Sequence, residues 1–129
     1  MPNSIAIIVE DDVILAGAYR LSLFNAGFEV HLAYSMTQFM AWLTQHTPEL
    51  IVLDLNLPDG LGLDYVPHLR RTLPATTRLI ALTGNTRLVE AYGDEFDLVL
   101  LKPVSMRQLQ ELSMRLCTPA FTEFAPSLD

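Results

Sequence analysis

Glu10, Asp11, Asp54, Thr83 and Lys102 each stand at the end of a short apolar run or directly after one. Three are carboxylates, one is a hydroxyl and one is an ammonium. Carboxylates brought within several ångströms repel one another, so one tends to keep its proton. A divalent cation relieves the same repulsion. Mg²⁺ suits such a set, because it takes oxygen ligands, keeps several waters and needs only one or two carboxylates. A carboxylate beside that cation can attack phosphorus and form an aspartyl phosphate. The phosphoryl group in transit spreads charge over its oxygens. A cation, an ammonium and a hydroxyl can each bind one of them.

The runs that carry these groups are Ile5 to Val9, Leu50 to Leu53, Leu79 to Leu82 and Leu98 to Leu101, with a shorter one at about Glu29 to Ala33. Near-continuous apolar runs are what parallel strands covered on both faces require. Helix-like segments lie between them. From Val13 to Ala26, Ile14, Ala18 and Leu21 share a face, Asp12 reads as the cap and Gly27 as the stop. Ser35 with Gln38, and Ser105 with Gln108, form capping-box patterns. Pro67 is accommodated if Asp64 caps the third helix, since the proline then falls in the first turn. A short helix is expected from about Thr86 to Tyr92. The order is a strand and a helix, five times over. Right-handed crossovers then put helices on both faces of one doubly wound parallel sheet, an α/β (βα)5 domain. Working sites in such sheets lie at the carboxyl ends of the strands, where the five chemical residues fall.

Composition narrows the function classes. The 129 residues suit one domain. The formal net charge of −7 disfavours non-specific contact with nucleic acid or an anionic membrane. Cys117 is the sole cysteine, so no internal disulfide forms and a reducing cytosol is the simplest setting. No run approaches the roughly 18 apolar residues of a membrane span, and the N-terminus lacks a signal-peptide pattern. A soluble cytoplasmic protein is expected, with a domain over 1–117 and a tail or linker start over 118–129. His31, His46 and His68 read as structural or surface residues. Tyr19, Phe24, Phe28 and Trp42 read as packing, and Cys117 as inert.

The blocks Ile8-Val9-Glu10-Asp11-Asp12, Val52 through Gly60, Leu82-Thr83-Gly84 and Lys102-Pro103 together resemble a bacterial response-regulator receiver domain, CheY-like, over about Ser4 to Leu116. The resemblance implies the flavodoxin-like strand order 2-1-3-4-5. It implies that Asp54 accepts the phosphoryl group and that Glu10, Asp11, Asp54 and the Asn56 backbone carbonyl hold Mg²⁺. Thr83 and Lys102 would bind phosphoryl oxygens, and the Lys102-Pro103 bond would be cis. The donor would be a histidine kinase or histidine phosphotransfer protein, and the target a downstream effector protein or domain. The domain would not be an enzyme beyond its own phosphorylation and dephosphorylation. It would touch neither nucleic acid nor membrane directly, and pairing of two copies stays open.

Three departures stand out. The span from Thr83 to Lys102 is short for the family. Val99 occupies a position where receivers usually carry Tyr or Phe, and Gly84 replaces a common Ala. The short span and Val99 motivate an alternative, a degenerate receiver that binds proteins without being phosphorylated. A phosphatase is a third reading, disfavoured because Asp54 has no second acid beside it on its own strand.

Overall fold

The structure is a computed structural model and describes residues 4–57, 60–85, 87, 90–91 and 93–117. Strands β1 (Ile5–Val9), β2 (Glu29–Ala33), β3 (Leu50–Asp54), β4 (Arg78–Thr83) and β5 (Leu98–Leu101) form one parallel sheet. Their order is β2-β1-β3-β4-β5, as the resemblance implied. Alternate residues of each run enter opposite layers. Ile7, Val9, Ile51, Leu53, Leu79 and Ala81 pack with Phe39 of α2 (Met36–Leu43) and with Val66 and Leu69 of α3 (Val66–Thr72). Ala6, Ile8, Leu50, Val52, Ile80 and Leu82 pack with Tyr19 and Leu23 of α1 (Val13–Asn25) and Leu109 of α4 (Met106–Leu116). Because both faces are covered, the inner strands β1, β3 and β4 carry near-continuous apolar runs, while the edge strand β2 alternates in Glu29 and His31.

The helix ends follow the capping logic. Asp12 Oδ1 accepts from the Ile14 and Leu15 amides at 2.9 and 3.1 Å. Gly27 ends α1 with φ +99°, a left-handed conformation that glycine adopts without a Cβ penalty. Ser35 and Ser105 Oγ accept from the amides of Gln38 and Gln108. The Gln38 side chain accepts in turn from the Tyr34 amide, one residue ahead of the cap.

Two expectations are corrected. Asp64 is not the cap of α3. It lies inside a 3-10 turn, Gly62–Tyr65, and Tyr65 precedes α3 without a side-chain cap bond. The turn carries the chain into the helix, and Pro67 still falls in the first turn. On α1, Phe24 does not pack in the core but points outward; the face shared by Ile14 and Leu21 is exposed, and Ala16, Tyr19, Ser22 and Leu23 face inward. The helix is apolar nearly all round, so periodicity offered two faces and the sheet took the other one. The helix expected over 86–92 rests partly on Thr86, Leu88, Val89 and Tyr92, which lie outside the described residues, as do Pro58, Asp59 and the tail 118–129.

Candidate active site

Strand register alone assembles most of the site. Val9 lies opposite Leu53, so the next step along both chains sets Glu10 beside Asp54. Asp54 lies opposite Leu82, and Thr83 opposite Leu101, which brings Thr83 and Lys102 to the same rim. The Lys102 amide donates to the Thr83 carbonyl at 2.8 Å and extends that ladder by one rung. The Lys102-Pro103 peptide is cis.

Of the residues proposed from sequence, Glu10, Asp11, Asp54 and Lys102 meet there, the register sets Thr83 on the same rim, and Asn56 joins through its amide. Lys102 Nζ donates to Glu10 Oε1 at 3.0 Å and to Asp54 Oδ2 at 3.1 Å. Asp54 Oδ1 accepts from the Asn56 amide at 3.0 Å. Oxygens of Glu10, Asp11 and Asp54 lie within 4.8 Å of one another. Glu10, Asp54 and Thr83 are buried, while Asp11 is exposed. Thr83 Oγ1 accepts from the Asn85 amide, which fixes the hydroxyl. Behind Asp54 the chain is close-packed: a Cβ on Gly62 would sit 3.0 Å from a Leu53 methyl and 3.3 Å from the Asp54 carbonyl oxygen. Gly84, next to Thr83, is exposed, and a Cβ there would meet nothing within 4 Å among the described residues.

The electrostatics set a problem that one lysine does not solve. Two carboxylates at the 4.8 Å limit repel by about 3–4 kcal/mol at an effective dielectric of ~20. Burial, with a hydrogen bond from a protonated Glu10 to Asp54, pushes the Glu10 carboxyl up to about 7. Burial works against the Lys102 ammonium, but its bonds to Glu10 and Asp54 outweigh that and hold its pKa above the ordinary value. Without a further cation, the cluster sheds charge by keeping a proton on Glu10. A hard divalent ion offers the other solution. The all-oxygen donor set of Glu10, Asp11 and Asp54, with one exposed member to admit hydrated metal, fits Mg²⁺.

Sequence reasoning missed Tyr19 as a neighbour of the site. It is buried on α1, and burial raises its phenol pKa while the charges of Lys102, Glu10 and Asp54 all act on it. Its position in the first helix, after the Glu10-Asp11 end of β1, was the available signal. Val99 is half-buried and packs into the layer with α2 and α3.

The sequence model described as the response regulator receiver domain matches residues 6–113. The KDP operon transcriptional regulatory protein KdpE of Escherichia coli is 30% identical over 106 residues, covering 81% of this chain and 47% of that protein. The DNA-binding transcriptional regulator NtrC of Bradyrhizobium is 25% identical over 130 residues, covering 93% of this chain and 27% of that one. The chain thus spans between about a quarter and a half of the length of these curated relatives. A CheY-like receiver domain from Methylobacillus flagellatus superposes with a TM-score of 0.78 at 29% identity, covering 88% of this chain and 98% of that one.

Proposed function

The chain belongs to the response-regulator receiver family, and on that premise we propose that it takes a phosphoryl group onto Asp54 from a phosphohistidine donor. The observation that carries this reading is the setting of Asp54. It is a buried carboxylate between the Asn56 amide and the Lys102 ammonium, with the oxygens of Glu10 and Asp11 alongside. An Asp54 oxygen attacks phosphorus. The O–P bond forms as the P–N bond breaks, and that electron pair returns to the donor's imidazole nitrogen. Glu10, Asp11, Asp54 and the Asn56 carbonyl would hold Mg²⁺, which would supply charge neutralisation for the phosphoryl oxygens. Lys102 then exchanges its bond to Asp54 for one to a phosphoryl oxygen, and the Thr83 hydroxyl donates to another.

In this reading the chain acts on itself rather than on a separate substrate. Its partners are a histidine kinase or phosphotransfer protein and, downstream, an effector protein or domain. Its place is the cytoplasm. Val99 and the short span from Thr83 to Lys102 support the degenerate alternative, because an aromatic switch residue is absent at Val99. Incubation with Mg²⁺ and a small acyl phosphate, read by intact mass, separates the two. We expect one added phosphoryl group, abolished in Asp54→Asn and by chelation. A wild-type chain that never gains that mass is the degenerate module instead.

A further inference from the structure

Helix α1 carries an apolar stripe that no side chain among the described residues covers. Ile14 is 83% exposed, Val13 66%, Phe24 60% and Leu21 48%. Midway along it lies exposed Gly17, where an added Cβ would meet nothing within 4 Å. A glycine inside a helix weakens it relative to alanine, and no neighbour among the described residues requires one there. Arg20 is the one charged residue within α1, although the chain as a whole carries −7.

The stripe is also complementary to itself. Ile14, Gly17, Leu21 and Phe24 are spaced three, four and three residues apart, so the pattern reads the same in reverse. Antiparallel, with a two-fold axis level with Tyr19, Ile14 of each helix meets Phe24 of the other and Leu21 of each seats over Gly17 of the other. A contact in which residue i meets j and j meets i is what a symmetric dimer demands. In the same register Asp11 and Asp12 fall opposite Gly27 and Ala26, so the acidic ends stay apart, while Arg20, one residue from the axis, lies beside its own counterpart at the rim. The exposed apolar side chains offer on the order of 500 Å² per copy, a patch size that marks interaction sites. Two copies would bury roughly 1,000–1,200 Å² with their rims, the lower edge of specific interfaces.

We infer that α1 is the interface of a weak symmetric dimer of this chain, packed antiparallel through Ile14, Gly17, Leu21 and Phe24. The affinity increases with salt, because screening relieves repulsion between two acidic copies while the contact itself is apolar. Sedimentation velocity of the whole chain, from micromolar to about millimolar, tests the inference. The expected result is a concentration-dependent dimer that Leu21→Glu weakens at least tenfold with an unchanged melting temperature, since Leu21 lies outside the core. Gly17→Ala separates folding from association: the helix gains stability while the dimer weakens, because the notch is filled. Ile14→Lys and Phe24→Glu chains should each stay monomeric alone and dimerise when mixed, as the register pairs the new charges. A wild-type chain monomeric throughout the range overturns the inference and leaves the stripe to a different partner. A dimer indifferent to Leu21→Glu, or a mixture that stays monomeric, overturns it as well.

Discussion

Lys102 is shared between two carboxylates, each about 3 Å away, and that sharing decides how the site behaves before any phosphoryl group arrives. Remove the ammonium and Glu10 and Asp54 face each other uncompensated. Lys102→Met should therefore lower metal-free stability by roughly 1–3 kcal/mol at pH 8, measured by urea unfolding. The loss should shrink toward pH 5, where a protonated Glu10 no longer repels Asp54. Glu10 itself has the opposite sign. Its folded pKa is raised from 4.5 to about 7, so the folded state binds the extra proton and stability falls as pH increases through that window. Glu10→Gln cannot ionise, and its amide can donate to Asp54 as the carboxylic acid does. In metal-free buffer it should be more stable than wild type by roughly 1–3 kcal/mol above pH 7, with the gain vanishing toward pH 4.5. A flat difference across that range would show that Glu10 ionises freely. These site residues were legible because each ends an apolar run. The sharing of Lys102 was not, since Glu10 and Lys102 are 92 residues apart and only the sheet register brings them together.

At the scale of elements, the far edge of the sheet is held by a node that sequence patterns gave no reason to single out. Asp97, just ahead of β5, accepts from the Leu79 amide of β4 at 2.7 Å, and Arg70 and Arg78 lie 3.5 Å from its carboxylate. The arginine pairs are substantially exposed and contribute little. The bond to Leu79 is the one that matters, because its loss strands a strand-end amide. Asp97→Ala should cost about 1–2 kcal/mol in chemical denaturation, and Arg70→Ala much less. Ser105→Ala should cost about 1 kcal/mol through the lost cap on α4. Caps of this kind were readable, because Ser followed three residues later by Gln has a local meaning. The face of α1 was not. Ile14, Ala18 and Leu21 are as regularly spaced as Ala16, Tyr19 and Leu23, and only the sheet beneath chooses between them.

At the scale of the whole molecule, the fold's contribution is to spend four strand ends on one rim and to leave that rim short of positive charge. Glu10, Asp11 and Asp54 face a single lysine. A cation that enters this cluster binds the folded chain and not the unfolded one, whose carboxylates are scattered. Its affinity therefore appears as stability. At ten times its dissociation constant, Mg²⁺ should add about 1.4 kcal/mol, or roughly 4–6 °C in melting temperature for a domain of this size. Asp11→Asn removes the exposed ligand without touching the buried pair, so it should leave the metal-free melting temperature near wild type and flatten the response to Mg²⁺. Na⁺ at matched ionic strength controls for screening, which alone would relieve part of the repulsion on a chain of net charge −7. If Mg²⁺ and matched Na⁺ raise the melting temperature equally, or if Asp11→Asn responds like wild type, the acidic cluster is a solvated rim and not a metal pocket. The Glu10 proton links this scale to the first. Mg²⁺ and that proton compete for the same carboxylates, so the Mg²⁺ shift should be larger at pH 8 than at pH 6.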